Sequence, residues 1–177
     1  MSLITDDVLM RLWERAQAQA SDEWASAKLW NHLWSQHLFS GKEWVVSQET
    51  PPEAYGRRRV DITIEYMGSD RNLAVLAFHE AKALDAGIQD LDEAENQAYD
   101  ACMRYLGEHP ELSGVYAFTS FGTKARAWQC SAEEDYLRPL FGSDTLSDRS
   151  QYVELHSSDA WLIKQAVQTM RNAQPVM

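Results

Sequence analysis

The chain has 177 residues, 45% of them hydrophobic, with seven Trp and a formal net charge of −11. That length and apolar content suit one folded domain with a proper core and exclude a disordered chain. The acid excess counts against tight, non-specific gripping of duplex phosphates, which draws on Lys and Arg.

No apolar run approaches transmembrane length. Met1 to Asp7 lack the basic start and apolar stretch of a secretory signal, so an intracellular protein without membrane attachment is expected. Cys102 and Cys130 form neither a disulfide framework nor a metal-ligand spacing, and two reduced, partly buried thiols are expected.

Asp6 to Phe39 reads as helix, broken near Ala20-Ser21-Asp22, with Ser21 as the cap of the second piece and Glu23 in its first turn. Leu29 and Leu33, and Trp30, Trp34 and Leu38, lie on adjacent helical rows. At that spacing the Trp stripe belongs to the core rather than to a base-stacking surface. Gly41 ends the helix, and Trp44 to Gln48 reads as the first strand. A loop with Pro51-Pro52 and Gly56 leads to the second strand, Arg59 to Tyr66. There Val60, Ile62, Ile64 and Tyr66 share one face, and Arg59, Asp61, Thr63 and Glu65 the other.

Gly68-Ser69-Asp70 predicts a hairpin turn into a third strand. Its run Leu73 to Phe78 is apolar on both faces, as in a central strand covered from two sides, and it ends in Glu80-Ala81-Lys82. Gly87 to Leu106 predicts a helix with Ile88, Leu91, Ala94, Ala98, Ala101, Cys102 and Tyr105 as its buried stripe and Asp90 to Glu95 as a solvated acidic face. Strands follow at Val115 to Thr119 and Lys124 to Cys130, around a turn at Gly122. Residues 131–150 read as irregular, Tyr152 to Leu155 as a short strand, and a last helix capped by Ser158 or Asp159 runs through Met170. The strand-helix-strand step implies a right-handed crossover with parallel pairing, hence an α/β fold with a mixed central sheet flanked by helices.

Glu80 and Lys82 project to one side of their strand, at the mouth of the sheet where α/β proteins bind ligands. If Asp61's strand pairs with theirs, two carboxylates and an amine converge, a divalent-metal site with a cation beside it. The bland reading of a Glu-x-Lys triplet alone is a charged strand end with a surface salt bridge. Arg57-Arg58-Arg59, with Lys124 and Arg126 at strand spacing, offers a local basic cluster for phosphates, against the alternative of a solvated loop end. His79 points away from Glu80 and reads as a packing or hydrogen-bonding residue.

This order of elements, with Asp61 on the second strand and Glu80-Ala81-Lys82 ending the third, resembles the PD-(D/E)XK nuclease superfamily and its restriction-endonuclease-like αβββαβ core. The resemblance covers residues 22–130, with helical additions before and after in a single domain spanning 1–177. Val60-Asp61 stands where the family's name has Pro-Asp. The resemblance implies a Mg²⁺- or Mn²⁺-dependent nuclease, a hydrolase of phosphodiesters; of its nucleic-acid partners DNA is favoured over RNA, and the sequence leaves that choice open. It implies metal binding by Asp61, Glu80 and the Ala81 carbonyl, with Glu49 as first choice and Glu23 as second choice for an upstream acid. Lys82 would orient or deprotonate the attacking water; a nearby metal and desolvation lower its pKa while carboxylates raise it, so base and simple cation both stay open. Gln97 matches the helix Gln of some members, although Ala101, not Tyr, follows four residues on. Arg58, Arg59, Lys124 and Arg126 would contact substrate. The rival reading, favoured by the acidic balance, is an inactive domain of this fold that binds a basic protein partner; a partner supplying basic surface is also compatible with activity. Oligomeric state stays open.

Overall fold

The computed structural model describes residues 1–50 and 59–173. Helix α1 (Asp7–Ala18) starts at Asp6, whose side chain accepts the Leu9 N–H. Helix α2 (Glu23–Leu33) is capped by Asp22 rather than Ser21: the Asp22 carboxylate accepts the Trp24 N–H. The helix then widens into a π-helical turn, Trp34–Leu38, which ends where the Phe39 N–H bonds the Trp34 carbonyl.

Strands β1 (Trp44–Thr50), β2 (Val60–Met67) and β3 (Leu73–Lys82) form an antiparallel meander. Helix α3 (Ile88–Glu108) crosses over to β4 (Gly114–Phe121), which pairs with β3 in parallel. β5 (Lys124–Ser131) returns antiparallel to β4. Two short strands, β6 (Leu137–Pro139) and β7 (Val153–Glu154), share the far edge of β5. The result is a mixed seven-stranded sheet in the order β1-β2-β3-β4-β5-β6, with β7 also on β5. Helix α4 (Trp161–Asn172) closes the described chain, entered through a turn capped by Ser157.

One face of the sheet carries α1, α2, the π-helical turn and α4. Leu9, Leu29, Trp30, Leu33, Trp34 and Ile163 pack there against Ile62, Ile64 and Phe118. Trp30 and Trp34 are fully buried, with Trp34 stacked on Phe118 at 4.5 Å between ring centroids. The other face carries α3, whose Ala98, Ala101, Cys102 and Tyr105 meet Phe78, Ala117 and Trp128. Val60, expected beside Ile62, packs with this second cluster; it lies beyond the last β2–β3 pair, Ile62–His79, and opposite Thr50, which follows the left-handed Glu49 on β1.

Two expectations for α3 are corrected. Ile88 is 65% exposed because it lies at the first position of the helix, beyond the sheet's cover. Glu95 is buried rather than solvated, because the segment after β6 folds over it and donates the Ser147 N–H to its carboxylate. The region expected to be wholly irregular contains β6. Both cysteines are buried and free.

Candidate active site

The β2–β3 ladder runs from Met67–Leu73 to Ile62–His79 and stops. One residue beyond, Asp61 turns its carboxylate into the gap, where Oδ2 accepts the Ala81 N–H at 2.7 Å. A side chain thus replaces the next ladder bond. In a strand the N–H and C=O of one residue point to the same side, so the Ala81 carbonyl also opens toward β2. The Asp61 carboxyl also hydrogen-bonds the Glu80 side chain, which is buried. Burial raises the Asp61 pKa; the Ala81 N–H, the Glu80 bond and the Lys82 charge oppose that shift, and Glu49 adds to it.

Lys82 lies two residues past Glu80, on the same side of β3. Its Nζ is 3.8 Å from Glu93 Oε1 of α3, and Gln97, one helical turn on, donates Nε2–H to the same oxygen at 3.1 Å. Gln97 therefore reaches the site through Glu93. The end of β3 is fixed by Gly122, whose N–H bonds the Lys82 carbonyl at 2.8 Å while its own carbonyl accepts the indole N–H of Trp30. Gly122 has φ +57°, and a Cβ there would fall 2.8 Å from the Leu84 Cα, so only glycine fits this brace.

Beside Asp61 opens a cavity of about 310 Å³ lined by Glu23, Trp24 and Ala27 of α2, Gln48 and Glu49 of β1, and Asp61 itself. Glu49, between the paired residues Gln48 and Thr50 of β1, lines the same cavity as Asp61 and takes a left-handed backbone, φ +54°. Glu23 has a raised pKa: burial is the main cause, and Asp61, Glu93 and Asp90 reinforce it against the pull of Lys82. Four carboxylates thus lie in or beside one small hollow.

Among the described residues no group of three or more His, Cys, Asp or Glu is arranged as a metal cage. The donor chemistry nevertheless fits Mg²⁺ or Mn²⁺. Such ions need only one or two carboxylates, keeping water and substrate phosphate for the rest. The Asp61 and Glu80 carboxyls lie within hydrogen-bonding reach of each other, as two ligands of one cation would.

Behind the site, His79 is fully buried with its pKa pushed down to about 3 by desolvation. The Trp34 indole N–H donates to Nδ1 at 2.8 Å, so Nε2 carries the proton and bonds Ser120 Oγ at 2.8 Å. It is a neutral structural residue that anchors β3 to the π-helical turn and β4.

The basic residues are dispersed. Arg126 is fully buried: its guanidinium donates to the carbonyls of Thr145 and Ser143 at 2.7 and 2.6 Å and lies 4.2 Å over the Trp128 ring. Its expected substrate contact is therefore corrected. Strand spacing put it on one face of its strand with Lys124, and the chain after β6 covers it there. Lys124 shares a register row with Lys82, two strands away, with its Nζ 5.6 Å from the Phe121 ring. Arg59 is exposed just before β2. Arg58 lies outside the described residues. Sequence reasoning missed Glu93 and Trp24; the Glu93–Gln97 spacing was a signal for the first, and exposure of Trp24 had none.

No protein-family model matches the chain, and no curated protein matches it. Among solved structures it is similar to a chain of a DrdV–DNA complex determined by cryo-electron microscopy. The TM-score is 0.54 and the identity 12%, over 95% of this chain and 98% of that one. At that identity the likeness concerns the fold, which is consistent with a restriction-endonuclease-like core. Among the described residues no helix is long and apolar enough to cross a membrane.

Proposed function

We propose that this chain is a single-domain, divalent-metal-dependent nuclease of the PD-(D/E)XK superfamily that hydrolyses phosphodiester bonds. The observation that carries the reading is the carboxyl pair Asp61–Glu80, closed over the Ala81 backbone with Lys82 two residues on. Asp61, Glu80 and the Ala81 carbonyl would hold Mg²⁺ or Mn²⁺, with Glu49 as a further oxygen donor. The bound ion supplies Lewis-acid stabilisation of the phosphate and a more acidic water.

Lys82 stands at the rim of the carboxyl pair, where its amine can hydrogen-bond a phosphate oxygen as charge builds there, or orient or deprotonate the attacking water. Glu93 and Gln97 set its direction: the carboxylate attracts Nζ, and the amide fixes the carboxylate. DNA is the favoured substrate, in keeping with the fold's likeness to a chain solved in a complex with DNA.

The net charge of −11 favours a second reading, an inactive domain that binds a basic protein. The test is incubation of plasmid and labelled oligonucleotides with the protein in Mg²⁺ or Mn²⁺. Cutting is expected, absent in EDTA and in Glu80→Gln. Intact nucleic acid beside folded wild-type protein contradicts the nuclease reading and favours the second.

A further inference from the structure

We propose that Trp24 is a stacking platform for the base beside the scissile phosphate, so that the site takes single-stranded or frayed nucleic acid in preference to intact duplex. The inference rests on the nuclease reading and adds the form of the substrate. Trp24 stands at the second position of α2 and is 63% exposed, whereas Trp30 and Trp34 further along the same segment are fully buried. Its backbone is pinned: the N–H donates to Asp22 Oδ1 at 2.9 Å.

The indole borders two hollows. One is the carboxylate-lined cavity that reaches Asp61. The other is lined by Arg15, Gln19, Asp22, Ala25 and Lys28 beside Trp24, and carries two cations against one acid. Lys28 is four residues after Trp24 and shares its helical face. A single strand laid across this rim puts one phosphate at the Asp61–Glu80 pair, its base on the indole and the neighbouring phosphate beside Arg15 and Lys28. Arg15 and Lys28 supply positive charge on one side of the indole, and a metal held at Asp61–Glu80 would supply it on the other.

Intact duplex matches poorly. A paired base has both faces stacked on its neighbours and must be extruded to reach the indole. Glu23 and Glu49 at the cavity wall repel the phosphates of a second strand, which has no metal to neutralise it. Stacking on an aromatic ring is tolerant of sequence, so Trp24 selects strand form rather than base identity.

The test is binding of a fluorescein-labelled single strand and of the matching duplex in Ca²⁺, by anisotropy, beside cleavage in Mn²⁺. Wild type is expected to prefer the single strand. Trp24→Ala is expected to weaken single-strand binding about 5- to 150-fold, leaving duplex binding unchanged, while Trp24→Phe retains most of the affinity. The exposed position lets both variants fold, which melting by circular dichroism checks. Equal losses on both substrates, unchanged binding by Trp24→Ala, or a wild-type preference for duplex overturns the proposal. Metal-dependent cutting by wild type alongside any of these leaves the nuclease reading standing. Neither binding nor cutting by wild type overturns both.

Discussion

Asp61 accepts the Ala81 N–H at 2.7 Å, one residue past the last β2–β3 ladder pair. The bond lets two strands part without stranding a buried donor, and it fixes the carboxylate beside Glu80. The opening between the strands and the placement of the acid are thus one structural event. Burial raises the pKa of that acid, so ionised Asp61 is held at a cost to the fold that a bound cation would offset.

Asp61→Asn is expected to act with opposite signs in the two metal states. The amide can still accept the Ala81 N–H and donate to Glu80, so in EDTA the melting temperature is expected to match or exceed wild type. With Mn²⁺ at about 100 times its Kd, wild type is expected to gain about 5–10 °C and the variant nothing. Thermal scans with and without metal check both signs; an equal metal-induced rise in the variant contradicts the ligand role.

Lys82→Ala is expected to lower kcat by about 10²- to 10³-fold, the scale of losing one preorganised charge at a transition state. Stability is expected to change by about 1 kcal/mol: Lys82 is only 15% exposed, but its ion pair is long, 3.8 Å, and made to a Glu93 that is 56% exposed. Denaturant titration beside turnover separates the two; a large loss of stability would make Lys82 a structural residue.

Arg126→Met is expected to destabilise by about 3–5 kcal/mol, the cost of breaking a buried charged group away from its partners. Those partners are the carbonyls of Ser143 and Thr145, with the charge of buried Glu95 nearby. The folded variant is expected to keep the wild-type salt dependence of nucleic-acid binding. A salt slope reduced by about 1 would instead mark a phosphate contact.

His79 imposes a pH dependence. Its pKa is lowered in the folded protein, so folding favours the neutral ring and its contribution is fully present above the unfolded value of about 6.5. Below that the unfolded chain binds the proton first, and stability is expected to fall by about 1.4 kcal/mol per pH unit toward the folded value, about 3. Urea midpoints across pH 4 to 7 for wild type and His79→Gln check it; identical slopes contradict it.

The strand pattern made the fold and the grouping of Asp61, Glu80 and Lys82 legible, because period-two alternation assigns a face without knowledge of the neighbours. The same alternation put Lys124 and Arg126 on one face of their strand, but it does not say what covers a face. The answer lies in the segment after β6, which also buries Glu95 and carries weak periodicity of its own. Ser21 and Asp22 both suit a cap, and only the backbone turn selects Asp22. Trp24 and Trp30 are alike in type, and their difference comes from how α2 meets the sheet edge.

The most direct measurement is turnover of labelled DNA and RNA, each as single strand and duplex, in Mn²⁺, wild type beside Lys82→Ala at matched folded concentration. Metal-dependent cutting by wild type that falls at least about 100-fold in the variant is expected. Cutting that persists in the variant, or no cutting by folded wild type on either DNA or RNA, would contradict a nuclease centred on Asp61, Glu80 and Lys82.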